Sequence, residues 1–303
     1  MDEKSKVALV MTSDRNEGIN RALSMVSPVS FHGKSVFLKP NFNSDDPFPG
    51  STHIDTLHII SSYLKSDGAS RIIIGDRSGM GDTRSVMENL GVFDLAEEVG
   101  FETLIFNELD SSGWLKHSPT RSHWENGFAT PAILHEVDSI VQTCCLKTHR
   151  YGGHFTMSLK NSVGLVAQKI PGDSYDYMNE LHGSSYQREM IAEINLVYQP
   201  SLIILDAIDA FTKGGPATGD IVSPNVIIVG TDRIAIDALG VALLRKYGTT
   251  PAVENGPVFE QDQIARAVEI GLGAQSPTQI EILTDDPESF SLGEELSGIL
   301  LQG

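Results

Sequence analysis

Eight short apolar runs recur along the chain, with helical segments between them: Lys6–Met11, Ser35–Lys39, Arg71–Gly75, Thr103–Phe106, Ser139–Cys145, Ser201–Leu205, Val226–Gly230 and Gln279–Leu283. Several are unbroken Val/Ile/Leu stretches, as expected of strands buried on both faces. The intervening stretches predict helices over Gly18–Met25, Ile54–Lys65, Thr83–Val99, Met190–Tyr198, Arg233–Tyr247 and Val258–Ile270. In Ile54–Lys65 the apolar residues fall at 54, 57, 59, 60 and 64, close to a helical stripe. Such alternation predicts an α/β protein with a mostly parallel, doubly wound sheet, helices on both faces and room for two lobes. Nothing marks a linker, so one domain over 1–303 is expected. The polar stretch 110–130, with Trp114, His117, His123 and Trp124, reads as a lid, an insertion or an extended hairpin. An irregular active-site loop region is expected over 147–187.

Composition narrows the class. With 303 residues and 40% hydrophobic content the chain can bury a sizeable core, and its formal net charge is −18. That acidity argues against nucleic acid as a partner. No stretch of about 18 apolar residues predicts a membrane span. The charged start MDEKSK leads straight into a strand, unlike a secretory signal, so a cytoplasmic location is expected. The only cysteines, Cys144 and Cys145, are adjacent and belong to no CxxC or four-Cys set. They read as packing residues, with neither an iron–sulfur cluster nor a zinc–thiolate site expected.

Against the acidic background stands one basic island. Residues 139–172 contain no Asp or Glu, yet carry Lys147, Arg150, Lys160, Lys169, His149 and His154. A small anionic partner, carboxylate or phosphate, is the simplest reason. Lys147 and His149, one residue apart, share a face of an extended chain, and Thr156, Ser158 and Lys160 repeat that spacing before Asn161. A buried lysine shifts its pKa enough for proton transfer, and a histidine titrates near neutrality, so Lys147, His149, Lys160 and His182 are the catalytic candidates. Three further strand ends put polar groups where open α/β sheets bind ligands: Lys39 and Asn41 in VFLKPNF, Asp76 in IIIGDRSGMGD, and Asp206 in LIILDAIDAF. With Asn161 these are the ligand-binding candidates. The Gly79–Gly81 loop is neither GxGxxG nor a P-loop, but its amides and the helix start near Thr83 could cradle an anion. Asp232 and Asp237 in GTDRIAID read as a helix N-cap and an early-turn residue. No GxSxG elbow or activated-Cys signature is present. His149, His154 and His182, with or without Asp206, match no zinc spacing.

In order and spacing the chain resembles the prokaryotic "domain of unknown function 362" family. The matching pieces are LKPNF at 38–42, the run ending at Asp76, LKTH at 146–149, T.SLKN at 156–161 and a His after an aromatic-rich loop at 182. LIILDAI at 202–208, GGP.TG at 214–219 and GTD..AID at 230–237 complete the series. The likeness runs from about residue 5 to 285. Many members carry an appended ferredoxin-like iron–sulfur module, whereas these 303 residues hold no Cys cluster. The resemblance names no reaction and no cofactor. A weaker likeness, in architecture and in His/Lys-rich Gly loops, is to the lactate racemase superfamily.

Three functional readings stand open at this point. One is an enzyme acting on a small anionic substrate or cofactor, by proton transfer, isomerisation or redox coupled to a protein partner. Another is a non-catalytic ligand- or cofactor-binding or delivery protein; a homo-oligomer is compatible with each of the three readings. The third is a metal-dependent enzyme using His149, His182 and Asp206.

Overall fold

All eight apolar runs become strands on the main path of one sheet. A computed structural model describes residues 4–26 and 29–302. The strands lie in the order β12 (Ile280–Leu283), β1 (Ser5–Met11), β11 (Val226–Gly230), β9 (Leu202–Gly214), β7 (Ser139–His149), β2 (Ser35–Lys39), β3 (Arg71–Asp76) and β4 (Glu102–Ile105). Every neighbouring pair on this path is parallel except those made by β11, which runs antiparallel to both β1 and β9. Its reversal follows from connection length. After β9 the chain turns at once into β10 (Gly219–Val222), which pairs back along β9, and β11 continues that return. A parallel partner would need a crossover of a dozen or more residues. Another short strand, β8 (His154–Thr156), folds back on β7.

Alternation along the central strands separates two layers of core. Val36 and Leu38 of β2, Ile72 and Ile74 of β3, and Ile227 and Val229 of β11 face the helices Arg15–Met25 and Ile54–Ser66 through Ile19, Leu57, Ile60 and Leu64. The opposite face carries two adjoining clusters. One packs Leu205 and Ile228 against the helix Arg233–Lys246, whose residues 233–244 are all buried, and against Leu292, Leu296 and Leu300 of the helix Pro287–Gln302. The other packs Phe37 and Ile73 against Phe106, Trp114, Trp124 and Phe128. Helices therefore lie on both faces, as the alternation predicts.

Several boundaries differ from expectation for local reasons. The predicted helix over Thr83–Val99 is two, Thr83–Asn89 and Val92–Val99, because Gly91 between them takes a left-handed φ of 75°. The stretch 110–130 contains an antiparallel pair, β5 (Trp114–His117) and β6 (Phe128–Pro131), whose aromatic residues join the core. The helix Pro287–Gln302 was not expected, although its Leu spacing of four is the ordinary signal. Among the described residues no helix is long and apolar enough to cross a membrane.

Leu296 is fully buried beneath the terminal helix, and Leu301 on the same helix is 65% exposed. Leu296→Ala is expected to cost about 2–5 kcal/mol in urea unfolding. Leu301→Ala should stay within about 0.5 kcal/mol of the parent; equal effects would mean that this helix does not seal the core.

Candidate active site

β2, β3 and β7 are parallel neighbours, so their C-terminal ends share one edge of the sheet. Lys39 closes β2 and Asp76 closes β3, and their side chains meet at 2.8 Å, both nearly inaccessible to solvent. Pro40 ends the ladder after Lys39 by removing a donor. The Lys39 Nζ also donates to the Pro40 carbonyl (2.6 Å) and to Asn161 Oδ1 (3.1 Å). Asp76 in turn accepts from the Phe42 amide (2.8 Å) and the Arg77 amide (2.7 Å). One ion pair thus ties the ends of two strands to the turn that carries Asn161. Gly164 packs directly on it: a Cβ there would lie 2.3 Å from Asp76 Oδ1 and 2.9 Å from Lys39 Nζ.

From β7, Lys147 and His149 reach the same place, and Thr156 of β8 sits across the ladder from Lys147. Lys160 and Asn161 follow on the one-turn helix Ser158–Asn161. That turn is held from behind by Asp237 of the helix Arg233–Lys246, whose carboxylate accepts from the amides of Ser158 (2.7 Å) and Leu159 (3.1 Å). Burial pushes the Asp237 carboxyl up to about 7.

These groups enclose a chamber of about 50 Å³ whose charged lining is Lys39, Arg77, Lys147 and Lys160 against a single carboxylate, Asp76. Lys39 is paired. Lys147 is fully buried and donates to the Gly50 carbonyl, and among the described residues no carboxylate pairs with it. The Arg77 guanidinium is spent on the carbonyls of Val166, Ser78 and Val163. Lys160 has no hydrogen-bond or ion-pair partner among the described residues. Four buried polar atoms of the lining are also unpartnered within the protein: Asn41 Oδ1, Asn43 Nδ2, His149 Nδ1 and Thr156 Oγ1. Buried polar groups are ordinarily satisfied, so a cluster of exceptions around one cavity points to a ligand.

The electrostatics follow from this crowding. Burial, then the neighbouring Lys147 and Arg77, bring the Lys160 ammonium down to about 8. Burial lowers Lys147 and Lys39 as well, the latter against the pull of Asp76. His149 is driven far below the ordinary histidine range by burial and by Lys160 and Lys147, so its imidazole is neutral. His182 is lowered too, by burial first and Lys160 second.

Seven of the nine sequence candidates therefore line one chamber: Lys39, Asn41, Asp76, Lys147, His149, Lys160 and Asn161. His182 lies further out, on the wider cleft into which the chamber opens. Asp206 lies elsewhere. It is buried against Arg15 (2.8 Å) and Thr56 (2.6 Å), with its own backbone turn at Ile208, and it supports neither Lys147 nor His149. The His149–His182–Asp206 metal set is consequently not assembled, and among the described residues no group of three or more His, Cys, Asp or Glu is placed to hold a metal. Ser158 does not continue the period-2 face, because the chain turns helical there and its hydroxyl bonds Gln142 (2.8 Å). The helix start near Thr83 is not an anion cradle, since the Asp82 carboxylate caps it through the Ser85 amide (2.9 Å). Arg77 and Asn43, which the sequence reading passed over, follow the candidates Asp76 and Asn41 by one and two residues.

An unpaired ammonium in a closed site costs stability. Lys147→Met is therefore expected to raise the stability of the anion-free protein by about 1–4 kcal/mol, the range for replacing buried charges with apolar side chains. A lower unfolding midpoint for this variant would show that Lys147 is structurally compensated.

Comparison with known proteins places this geometry in a lineage. No curated protein matches the chain. Among solved structures, the lactate racemase apoprotein from Thermoanaerobacterium thermosaccharolyticum aligns over 76% of this chain at 13% identity and a TM-score of 0.45. The alignment takes in 54% of that protein, so the chain spans about half its length. The family described as "Domain of unknown function (DUF362)" matches residues 36–242, which include every residue of the chamber. By that match, over more than half of its length, the chain belongs to the DUF362 family.

Proposed function

We propose that the protein is an enzyme that takes the carboxylate or phosphate of a small molecule into the chamber and moves a proton on it with Lys160. The observation that carries this reading is the unpaired positive charge. Four cationic side chains and one carboxylate line one small chamber in a protein of net charge −18. Buried charges are tolerated when they are paired, and here the missing partner is an anion. A chamber of about 50 Å³ has room for a small charged head.

The parts divide by chemistry. Lys39, locked by Asp76 and Asn161, is a fixed point charge, and Lys147 is a second one at the floor. Asn41, Asn43 and Thr156 offer free hydrogen-bonding atoms at the wall. Lys160, with a value near 8, exchanges a proton close to neutrality, which is where general acid–base catalysis is most effective. His149 is too weak a base to share that task while neutral, and it serves as a hydrogen-bonding group toward the substrate. The lowered Lys160 value is what favours chemistry over simple carriage of the same anion. In this reading residues 147–187 supply the active-site loops.

Sulfate, whose charge is constant across neutral and alkaline pH, is the probe. Calorimetric titration at neutral pH should show binding, with Lys147→Met and Lys160→Met each weakening it at least about ten-fold, equivalent to some 1.4 kcal/mol. Retained affinity in both variants would overturn the assignment. Affinity should also fall as pH rises through about 8, when Lys160 releases its proton. Lys160→Arg should bind and lose that inflection. In the anion-free protein the sign reverses. The unfolded chain keeps the Lys160 proton up to about 10.5 while the folded one has released it above about 8, so stability rises with pH across that window.

A further inference from the structure

The chamber is not the end of the site. It opens into a cleft of about 890 Å³, within the range of about 300–1,000 Å³ usual for small-molecule pockets. Arg77, His149, Lys160 and Pro216 are among the residues that line both spaces. Away from the chamber the wall is mixed: Met80, Tyr151 and Met178 stand among the polar Gln168, Asp176, Asn179 and His182. Tyr151 is 52% and Met80 42% exposed, among the most exposed large apolar side chains of the protein. The Tyr151 ring stands edge-on to His149, with centroids 5.8 Å apart, and the Arg150 guanidinium lies 5.0 Å from its centroid. Thioethers and aromatic rings beside a cationic hole recognise flat unsaturated groups through dispersion and quadrupole contacts.

We propose that the ligand is an amphiphilic anion: a carboxylate or phosphate that enters the chamber, joined to an aromatic or heteroaromatic body that lies in the cleft against Tyr151, Met80 and Met178. This rests on the chamber reading above and adds the class of the body. A bare anion satisfies the lysines and leaves Tyr151 and Met80 in water. An uncharged aromatic covers the wall and leaves the lysines unpaired. The two halves of the site call for a molecule that does both, with its charged head inward.

The test is calorimetry on the full chain with two matched pairs, inorganic phosphate against phenyl phosphate and acetate against phenylacetate, with benzyl alcohol as the uncharged control. In at least one pair the aryl member is expected to bind at least about ten-fold more tightly than the bare anion. Tyr151→Ala, in an exposed loop where folding is checked by thermal denaturation, should collapse that ratio toward one. The pair that responds identifies the head. Bare anions that bind as well as their aryl partners would overturn the proposed body and leave the chamber reading standing. No binding by any of the four anions would remove the chamber reading, and this inference with it. Benzyl alcohol binding as tightly as phenyl phosphate would refute the head-inward placement.

Discussion

The buried contact between Lys39 and Asp76 organises everything around it. Two strands that are neighbours in the sheet end on opposite charges, and the pair draws in the Phe42 and Arg77 amides, the Pro40 carbonyl and Asn161. The loops leaving β2 and β3, which would otherwise be free to wander, are pinned at the point where the chain from β7 arrives. Removing either partner would strand an uncompensated charge in a dry environment, so the pair behaves as a unit with the loops it fixes.

Once that pair is satisfied, Lys147 and Lys160 are the surplus. Lys147, fully buried, runs against the preference of a folded chain, which places charges in water or beside their opposites, whereas Lys160 keeps partial contact with solvent. An acidic exterior and a cationic interior are compatible because solvent screens the first within about 10 Å while the second sits in low dielectric. The local field at the chamber is therefore set by a handful of side chains and not by the net charge. Asp237 contributes at one remove. It carries no role at the cavity surface, yet it fixes the turn on which Lys160 and Asn161 ride. The sequence reading placed it as an ordinary early-turn residue of a helix, and its partner segment is 78 and 79 residues away.

The strands were legible because burial on both faces writes itself as unbroken Val/Ile/Leu runs, visible within a few residues. The chamber was legible for a related reason: the polar residues Lys39, Asp76 and Lys147 follow such runs toward the C-terminal ends of parallel neighbours, which share one edge of the sheet. Asp206 also follows such a run, but β9 continues past it to Gly214 and it falls outside. Its neighbour in the ladder, on β7, is Cys145, but its carboxylate is taken by Arg15 and Thr56 from the helical layer, which no local pattern announces. Ser158 and the Thr83 helix start failed because period-2 spacing and loop glycines do not reveal where a chain turns helical or which acid caps it. Arg77 was hidden by its neighbour, since a charged residue one step past a strand reads as solvated until the loop it braces is seen.

Gly164 carries a consequence outside this one molecule. The space it leaves is filled by the carboxylate of Asp76 and the ammonium of Lys39, so any larger residue at that position would wedge them apart. Position 164 is thus a single-letter diagnostic in an alignment of relatives. Chains that keep glycine there, together with lysine and aspartate at the two strand ends, have the room to build the same chamber. In a chain with a larger residue there, the lysine and aspartate ends would have to shift, so the two kinds should be sorted apart before any activity is transferred between them.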